Sequence, residues 1–166
     1  MNKPHILLAQ QYWRKTVKAN DVVFDMTCGN GHDTQFLCQL GAAVYGFDIQ
    51  EAAIENTRKL APKAMLFLRS HDDLPPLPNP QLIVYNLGYL PGGDKSIVTK
   101  TETTLKSIAW ALSTGAAVSI TCYPGHDEGM REEQEIVALM RSLKRTVCYH
   151  QWLGRPRAPS LLWIAD

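Results

Sequence analysis

The regular alternation of short apolar segments with helical patterns is the feature of this sequence that most constrains its fold. The apolar segments are rich in β-branched or aromatic residues, which is typical of strands buried on both faces. They lie at residues 22–26, 43–47, 65–68, 82–85 and 116–122. Helical patterns lie at residues 4–18, 34–40, 50–60, 100–112 and 127–142. This order predicts an α/β fold in which helices cover a mostly parallel sheet.

The end of the chain breaks this alternation. Residues 146–151 and 161–165 also resemble strands, and the segment between them is too short for a helical crossover, which predicts an antiparallel hairpin. Five strand–helix units followed by a hairpin predict a Rossmann-like sheet of seven strands. Since no linker, repeat or low-complexity tract interrupts the pattern, we expect one domain over residues 1–166.

Composition excludes several classes of protein. The 166 residues are 45% hydrophobic and 20% charged, with a net charge of +1, so no global charge indicates a nucleic-acid or membrane surface. No apolar run is long enough to span a membrane, and the N-terminus does not resemble a signal peptide, so a cytoplasmic protein is expected. The four cysteines form no CxxC pair and the five histidines lack metal-ligand spacing, so no metal is expected.

Polar segments follow four of the predicted parallel strands. They are residues 25–34, Asp48, residues 86–95 and residues 123–125. In an open parallel sheet, ligands bind beyond the carboxyl ends of the strands, where the strand order reverses. The topology therefore brings these segments to one edge of the sheet and favours an enzyme.

The first segment is a glycine-rich loop ahead of a helix, so its backbone N–H groups can approach a ligand. Gly29 and Gly31 fit the start of a dinucleotide fingerprint, but Thr34 stands where the third glycine is required. Asp25 would repel a pyrophosphate and suits a cation such as the ammonium group of a methionine moiety. Asp48 is placed to accept hydrogen bonds from ribose hydroxyls. The pattern favours S-adenosylmethionine over NAD, although Asp25 could instead be a helix-capping acid.

The segment after the fourth strand begins with Asn86-Leu87-Gly88-Tyr89. Amino-group methyltransferases often place an Asn or Asp, two small or proline residues and an aromatic residue there. The Asn86 carbonyl can accept a hydrogen bond from an amine and aim its lone pair, while the Tyr89 ring can hold the developing cation. The alternative is a polar loop in which both residues are incidental.

Other polar residues near the predicted edge have weaker signals. His71 and Asp72 follow the third strand and could face an adenine ring, or could belong to a solvated loop. Asp94 and His126 are candidate proton acceptors. Phosphate contact is a minority interpretation for the basic residues of the nearby loops, because a solvated surface is the default. Those bases are Lys95, Lys100, Arg155 and Arg157.

The residues now described resemble a known family. Residues 25–34, 47–50, 86–95 and 123–126 are similar to the signature blocks of the small putative rRNA methylase family. Its characterised members are tRNA methyltransferases that convert 5-aminomethyl-2-thiouridine at the wobble position to the methylaminomethyl form. The resemblance implies a class I S-adenosylmethionine fold, and it implies that Asn30 and Asp33 join Asp25, Asp48 and Asn86 as cofactor or active-site positions.

The sequence therefore predicts an S-adenosylmethionine-dependent N-methyltransferase whose partner is the anticodon loop of a tRNA. The expected catalytic residues are Asn86, Tyr89, Asp94 and His126. The expected cofactor-binding residues are Asp25, Thr27, Gly29, Asn30, Gly31, Asp33, Thr34, Asp48, Ile49, His71, Asp72 and Asn86. The expected substrate-binding residues are Gly88, Tyr89, Lys95, Lys100, Tyr123, Arg155 and Arg157. Alternatives are an rRNA or small-metabolite methyltransferase, an NAD(P) oxidoreductase and a non-catalytic binding module, and a homodimer stays open.

Overall fold

A computed structural model describes residues 3–88, 92, 96 and 99–166. Its helices and strands follow one another as α1 Pro4–Thr16, β1 Val22–Asp25, α2 His32–Gln39, β2 Ala43–Asp48, α3 Glu51–Leu60, β3 Met65–Leu68, β4 Leu82–Leu87, α4 Thr101–Ser113, β5 Ala117–Cys122, α5 Asp127–Arg141, β6 Thr146–His150 and β7 Ser160–Ala165. These bounds lie within a few residues of those predicted, because hydrophobic periodicity reports which residues face the core.

The seven strands form one sheet in the order β3-β2-β1-β4-β5-β7-β6. β1 to β5 pair in parallel, and β7 runs antiparallel to both β5 and β6, so the predicted C-terminal hairpin is confirmed. The chain moves outward from β1 to β3 and then returns to place β4 on the other side of β1. This reversal between β1 and β4 is the position at which an open α/β sheet binds its ligand.

As the sequence pattern predicts, α1 precedes β1 and the crossover from β3 to β4 contains no helix, so helices follow four of the five parallel strands. The crossover, residues 69–81, contains Pro75, Pro76, Pro78 and Pro80, and prolines at this spacing prevent a helix. Asn86 and Leu87 were expected to open a loop, but they are the last residues of β4, since they pair with Thr121 and Cys122 of β5.

Apolar side chains cover both faces of the sheet. On one face, Ile108 and Ala111 of α4 and Ile136 of α5 pack against β4 and β5. On the other face, Trp13 of α1 and Leu37 of α2 pack against β1, β2 and β7. The central strands are therefore fixed from both sides, which holds their carboxyl ends in place. Among the described residues, no helix is long and apolar enough to cross a membrane.

Candidate active site

Hydrogen bonds join the ends of β1 and β4 at the reversal point of the sheet. The backbone N–H of Met26 donates to the carbonyl of Val84 at 2.9 Å. Two residues further on, the backbone N–H of Asn86 donates to the Thr27 hydroxyl at 2.6 Å. The glycine loop after β1 and the polar end of β4 therefore form one surface.

The glycine loop between β1 and α2 needs its glycines. Gly29 and Gly31 have φ values of 52° and 85°, a conformation that residues with a side chain rarely adopt. A Cβ atom at Gly31 would lie 2.7 Å from Cα of Thr57, because α3 passes directly behind the loop. The Thr57 hydroxyl also donates to the Gly29 carbonyl at 3.0 Å. The loop backbone is thus fixed against α3, with Gly31 as the N-cap of α2.

Asp48 ends β2 beside this loop. One carboxylate oxygen accepts from the Gly29 N–H and the other from the Gln50 N–H, both at 3.0 Å. The next residue, Ile49, is 58% exposed although it is large and apolar. An acceptor beside an exposed apolar side chain fits a ribose and its attached base. The ribose hydroxyls would donate to Asp48, and the base would pack on Ile49.

Asp25 is buried and hydrogen-bonded within the chain. Its side chain is 0% exposed, accepts a hydrogen bond from the Thr34 hydroxyl at 2.6 Å and receives a longer one from the Thr27 N–H at 3.4 Å. These contacts favour the alternative interpretation, a structural acid that joins β1 to the first turn of α2. A direct bond from Asp25 to a ligand would require the loop to open, because the carboxylate has no solvent-facing surface.

Asp33 and Asn86 form a polar pair at the carboxyl ends of the strands. The Asn86 side-chain N–H donates to the Asp33 carboxylate at 2.8 Å. This bond determines the orientation of the Asn86 amide. A carboxylate can only accept, so the NH₂ group faces Asp33 and the amide carbonyl is left for another donor. The pair therefore presents a carbonyl acceptor on Asn86, as the chemistry of an amine substrate requires.

Three carboxyl groups, those of Asp25, Asp33 and Asp48, surround the glycine loop. Burial raises the pKa of Asp25 to about 7, and the charges of Asp33 and Asp48 contribute to this increase. Burial also raises the pKa of Asp33 and of Asp48. Within the described part of the chain, none of the three forms an ion pair with Lys or Arg. A cationic ligand would relieve this repulsion, whereas a pyrophosphate would increase it.

Neighbouring side chains hydrogen-bond to Asp72, whereas the Nε2 atom of the buried His71 ring has no hydrogen-bond partner among the described residues. The buried His71 ring lies edge-on to Tyr85 with 6.1 Å between centroids, and its backbone carbonyl accepts from the Ser107 hydroxyl at 2.7 Å. The Asp72 carboxylate accepts from the Ser70 hydroxyl and from Lys106 of α4. The contacts of Asp72 favour the alternative of a structural loop, and an adenine contact of His71 stays a prediction.

Other predicted residues lie in three places. Asn30 accepts from Asn56 of α3 at 3.1 Å, beside the glycine loop. The Nδ1 atom of His126 accepts from the Gly129 N–H at 3.0 Å as the N-cap of α5, so that nitrogen is engaged and does not fit a proton acceptor. Lys100 is exposed at the start of α4. Tyr89, Asp94 and Lys95 lie outside the described residues.

A pocket of about 250 Å³ is lined by Tyr123, the residue that directly follows β5. Its lining residues are Lys3, Pro4, His5, Tyr123, Trp152, Arg155, Ala158 and Pro159. Tyr123 connects it to the strand ends, since a Cβ at Gly88 would lie 3.5 Å from Cβ of Tyr123. A second pocket, of about 350 Å³, shares Trp152, Arg155 and Ala158 with the first and is also lined by Arg157.

Lys3, His5 and Trp152 line the first pocket, although the sequence did not indicate them as site residues. His5 follows Pro4 at the start of α1, and Trp152 lies in the loop between β6 and β7, so nearly 150 positions separate them. A polar His among the apolar positions of α1 and an aromatic residue in a loop were the available signals. Neither signal indicates that the two rings pack against each other, with 6.1 Å between their centroids.

In residues 3–88, 92, 96 and 99–166, no three His, Cys, Asp or Glu side chains are grouped so that they could hold a metal ion.

Comparisons with known proteins agree with one another. Residues 44–166 match the model of the family described as "Putative rRNA methylase". The chain is 35% identical to the "tRNA (mnm(5)s(2)U34)-methyltransferase, chloroplastic" of Arabidopsis thaliana, over 95% of this chain and 67% of that protein.

Solved structures give the same result. A putative rRNA methylase from Clostridium thermocellum superimposes with a TM-score of 0.88 and 32% identity, covering 99% of this chain and 98% of that one. A putative methyltransferase from Streptococcus mutans, solved in complex with SAH, superimposes with a TM-score of 0.84 and 31% identity over the same shares. The sheet described above is therefore that of a class I methyltransferase.

Proposed function

The chain belongs to the putative rRNA methylase family, and on that premise we propose that it is an S-adenosylmethionine-dependent N-methyltransferase of tRNA. Its substrate is the 5-aminomethyl group of a wobble uridine or 2-thiouridine in the anticodon loop, and its product is the methylaminomethyl group. We propose that residues 1–166 form one methyltransferase domain and that the protein is cytoplasmic. The Arabidopsis relative is named for this modification, which supports the choice of substrate.

The observation that carries the proposed chemistry is the hydrogen bond from Asn86 to Asp33. Because the amide NH₂ group is occupied, the Asn86 carbonyl is the acceptor left for the N–H of an amine. Accepting that hydrogen bond directs the nitrogen lone pair and holds the amine in a reactive orientation. The Asp33 carboxylate places a negative charge beside the ammonium group that forms on methylation.

The residues around the glycine loop fit S-adenosylmethionine. Asp48 would accept from the ribose hydroxyls, and the exposed Ile49 side chain would cover one face of the adenine. The three carboxyl groups with raised pKa suit a ligand that carries two positive charges. When bound, this cofactor supplies an activated methyl group on a sulfonium. The same acidic surroundings disfavour the pyrophosphate of NAD(P).

The substrate assignment is tested by methylating defined RNAs in vitro. We expect purified enzyme and S-adenosylmethionine to convert 5-aminomethyl-2-thiouridine in tRNA to the methylaminomethyl form, detected by mass spectrometry of nucleosides. Transfer RNA lacking the aminomethyl group is the matched control and should stay unmodified. Methylation of ribosomal RNA with none of the aminomethyl tRNA would overturn the tRNA assignment in favour of rRNA, which the family description names.

Replacement of Asp48 tests the cofactor site. We expect Asp48→Ala to weaken the binding of S-adenosylhomocysteine by about 1–3 kcal/mol, because hydrogen bonds from the ribose to a charged acceptor are lost. Asp48→Asn keeps one oxygen acceptor and should lose less affinity. Isothermal calorimetry measures both, and Asp73→Ala, at an exposed carboxylate paired with Arg69, is the control. Tight binding of NADH without binding of S-adenosylhomocysteine would contradict the methyltransferase assignment.

A further inference from the structure

The pocket lined by Tyr123 has walls suited to a flat ring. We call it the His5 pocket, after the side chain at its base, and its members are Lys3, Pro4, His5, Tyr123, Trp152, Arg155, Ala158 and Pro159. The His5 ring lies edge-on to Tyr123 at 5.8 Å and to Trp152 at 6.1 Å between centroids. Its volume of about 250 Å³ is below that of pockets for drug-sized ligands and suits a single ring system.

The buried His5 ring has one nitrogen without a hydrogen-bond partner in the part of the chain that the structure describes. The side chain is 4% exposed, and its Nε2 atom has no hydrogen-bond partner among the described residues. Buried polar atoms are nearly always hydrogen-bonded, and an unpaired one is costly, so a ligand that pairs with Nε2 recovers that cost. Burial lowers the pKa of His5 to about 4, with the nearby charge of Lys3 contributing. The ring is therefore neutral at neutral pH and suits a neutral partner.

Positive charge lies at the edge of the His5 pocket. Lys3 and Arg155 are both exposed and both line it, so an anionic group attached to a buried ring would meet them. Arg155 also lines the second pocket, which places it between the two cavities. A nucleotide combines these features, because its flat base carries a phosphate through the sugar.

The His5 pocket is also connected to the reacting groups. Tyr123 lines it and packs near Gly88, two residues after Asn86. Burial raises the pKa of Tyr123, and the charge of Asp33 raises it further. A ring in the pocket would therefore extend a substituent toward Asn86.

We propose that the His5 pocket binds the pyrimidine ring of the target nucleotide. The aromatic side chains of Tyr123 and Trp152 enclose the ring, its imide edge pairs with Nε2 of His5, and Lys3 and Arg155 contact the flanking phosphates. This inference rests on the proposed function, since it assigns the uridine of that reaction to a place in the structure. It makes His5 and Trp152 specificity-determining residues.

His5→Phe tests the pocket because phenylalanine keeps the aromatic contacts and removes the nitrogen. We expect the KM for aminomethyl tRNA to rise about tenfold, with the affinity for S-adenosylhomocysteine unchanged. His5→Asn, which restores a donor and an acceptor, should recover part of the loss. His150→Phe, a matched change on β6 outside the pocket, should leave the KM as it is. An unchanged KM in a folded His5→Phe variant would overturn the proposal.

A second measurement separates this inference from the proposed function. Saturation-transfer NMR with uridine 5′-monophosphate should detect contact of the uracil protons with the wild-type protein, and Trp152→Ala should abolish it. Adenosine 5′-monophosphate, in the presence of saturating S-adenosylhomocysteine, should give a weaker signal. Equal signals from the two nucleotides, or a uridine signal that survives Trp152→Ala, would overturn the pocket assignment. If the wild-type protein methylates no tRNA, the proposed function fails and the NMR result still decides the pocket.

Discussion

Asn86→Ala is expected to lower kcat for tRNA methylation by about 100-fold or more, which corresponds to about 2.7 kcal/mol of transition-state stabilisation. The reason is geometric, because the Asn86 carbonyl is the acceptor that would orient the amine, and alanine has no acceptor to replace it. The affinity for S-adenosylhomocysteine should change less than about threefold, since the loop contacts of Asn86 use its backbone N–H. Single-turnover methylation and calorimetry measure the two quantities separately.

The partner of Asn86 allows a sharper version of this experiment. Asn86→Asp alone sets two carboxylates against each other, and Asp33→Asn alone lets the Asn86 amide rotate, so each variant should lose activity. The double variant Asp33→Asn with Asn86→Asp again pairs one amide with one carboxylate across the 2.8 Å contact. Its kcat should be about tenfold higher than that of the less active single variant. A gain of this size lies in the range of coupling energies measured for residues in contact.

Asn79→Ala is the control for these variants, because Asn79 is exposed in the crossover before β4. Two results would contradict the assigned role of Asn86. One is single-turnover methylation by Asn86→Ala within about threefold of wild type. The other is a double variant no more active than the product of the two single effects predicts.

Gly31→Ala is expected to reduce the free energy of unfolding by about 2–4 kcal/mol, which is large for a single methyl group. About 1–2 kcal/mol of this is the cost of holding alanine at a φ of 85°. The remainder is overpacking, because the new Cβ would lie 2.7 Å from a backbone atom of α3, which cannot rotate away. Denaturant unfolding measures the loss, and S-adenosylhomocysteine affinity should fall as the loop is displaced.

Gly115→Ala separates the two causes. Gly115 has a φ of 78°, and a Cβ there would meet no atom within 4 Å, so this variant carries the backbone strain without the collision. We expect it to lose about 1–2 kcal/mol and to keep its cofactor affinity. Equal destabilisation of the two variants would show that the loop moves away from α3 at no cost, and that close packing against α3 is unimportant.

Much of the candidate site could be predicted because its residues are local in sequence. Gly29 and Gly31 lie in the six residues that connect β1 to α2, and Asp48 ends the next strand, so strand prediction alone places them at one edge. The end of β4 could not be placed in the same way. Asn86 interrupts an apolar run and looks like the start of a loop, but pairing with Thr121 of β5 keeps it within the strand.

Side-chain direction was the second limit on prediction. The sequence places Asp25 at a strand end, but it does not say whether the carboxylate faces a ligand or the helix that follows. The structure turns it inward to Thr34, and it turns the Nδ1 atom of His126 to the Gly129 N–H. In both cases a neighbouring hydrogen-bond donor in the first turn of the following helix decides the direction, Thr34 in α2 and Gly129 in α5.

The sequence by itself determined the alternation of strands and helices, the glycine loop and the acidic and amide residues at the strand ends. Hydrophobic periodicity and turn-forming residues act over a few positions, so they can be recognised without a fold. Only the tertiary structure decided that Asp33 holds the Asn86 amide and that His5 meets Tyr123 and Trp152. Those contacts join residues more than 50 positions apart, and they exist because the order of strands in the sheet brings β1, β4, β5 and the loop between β6 and β7 together.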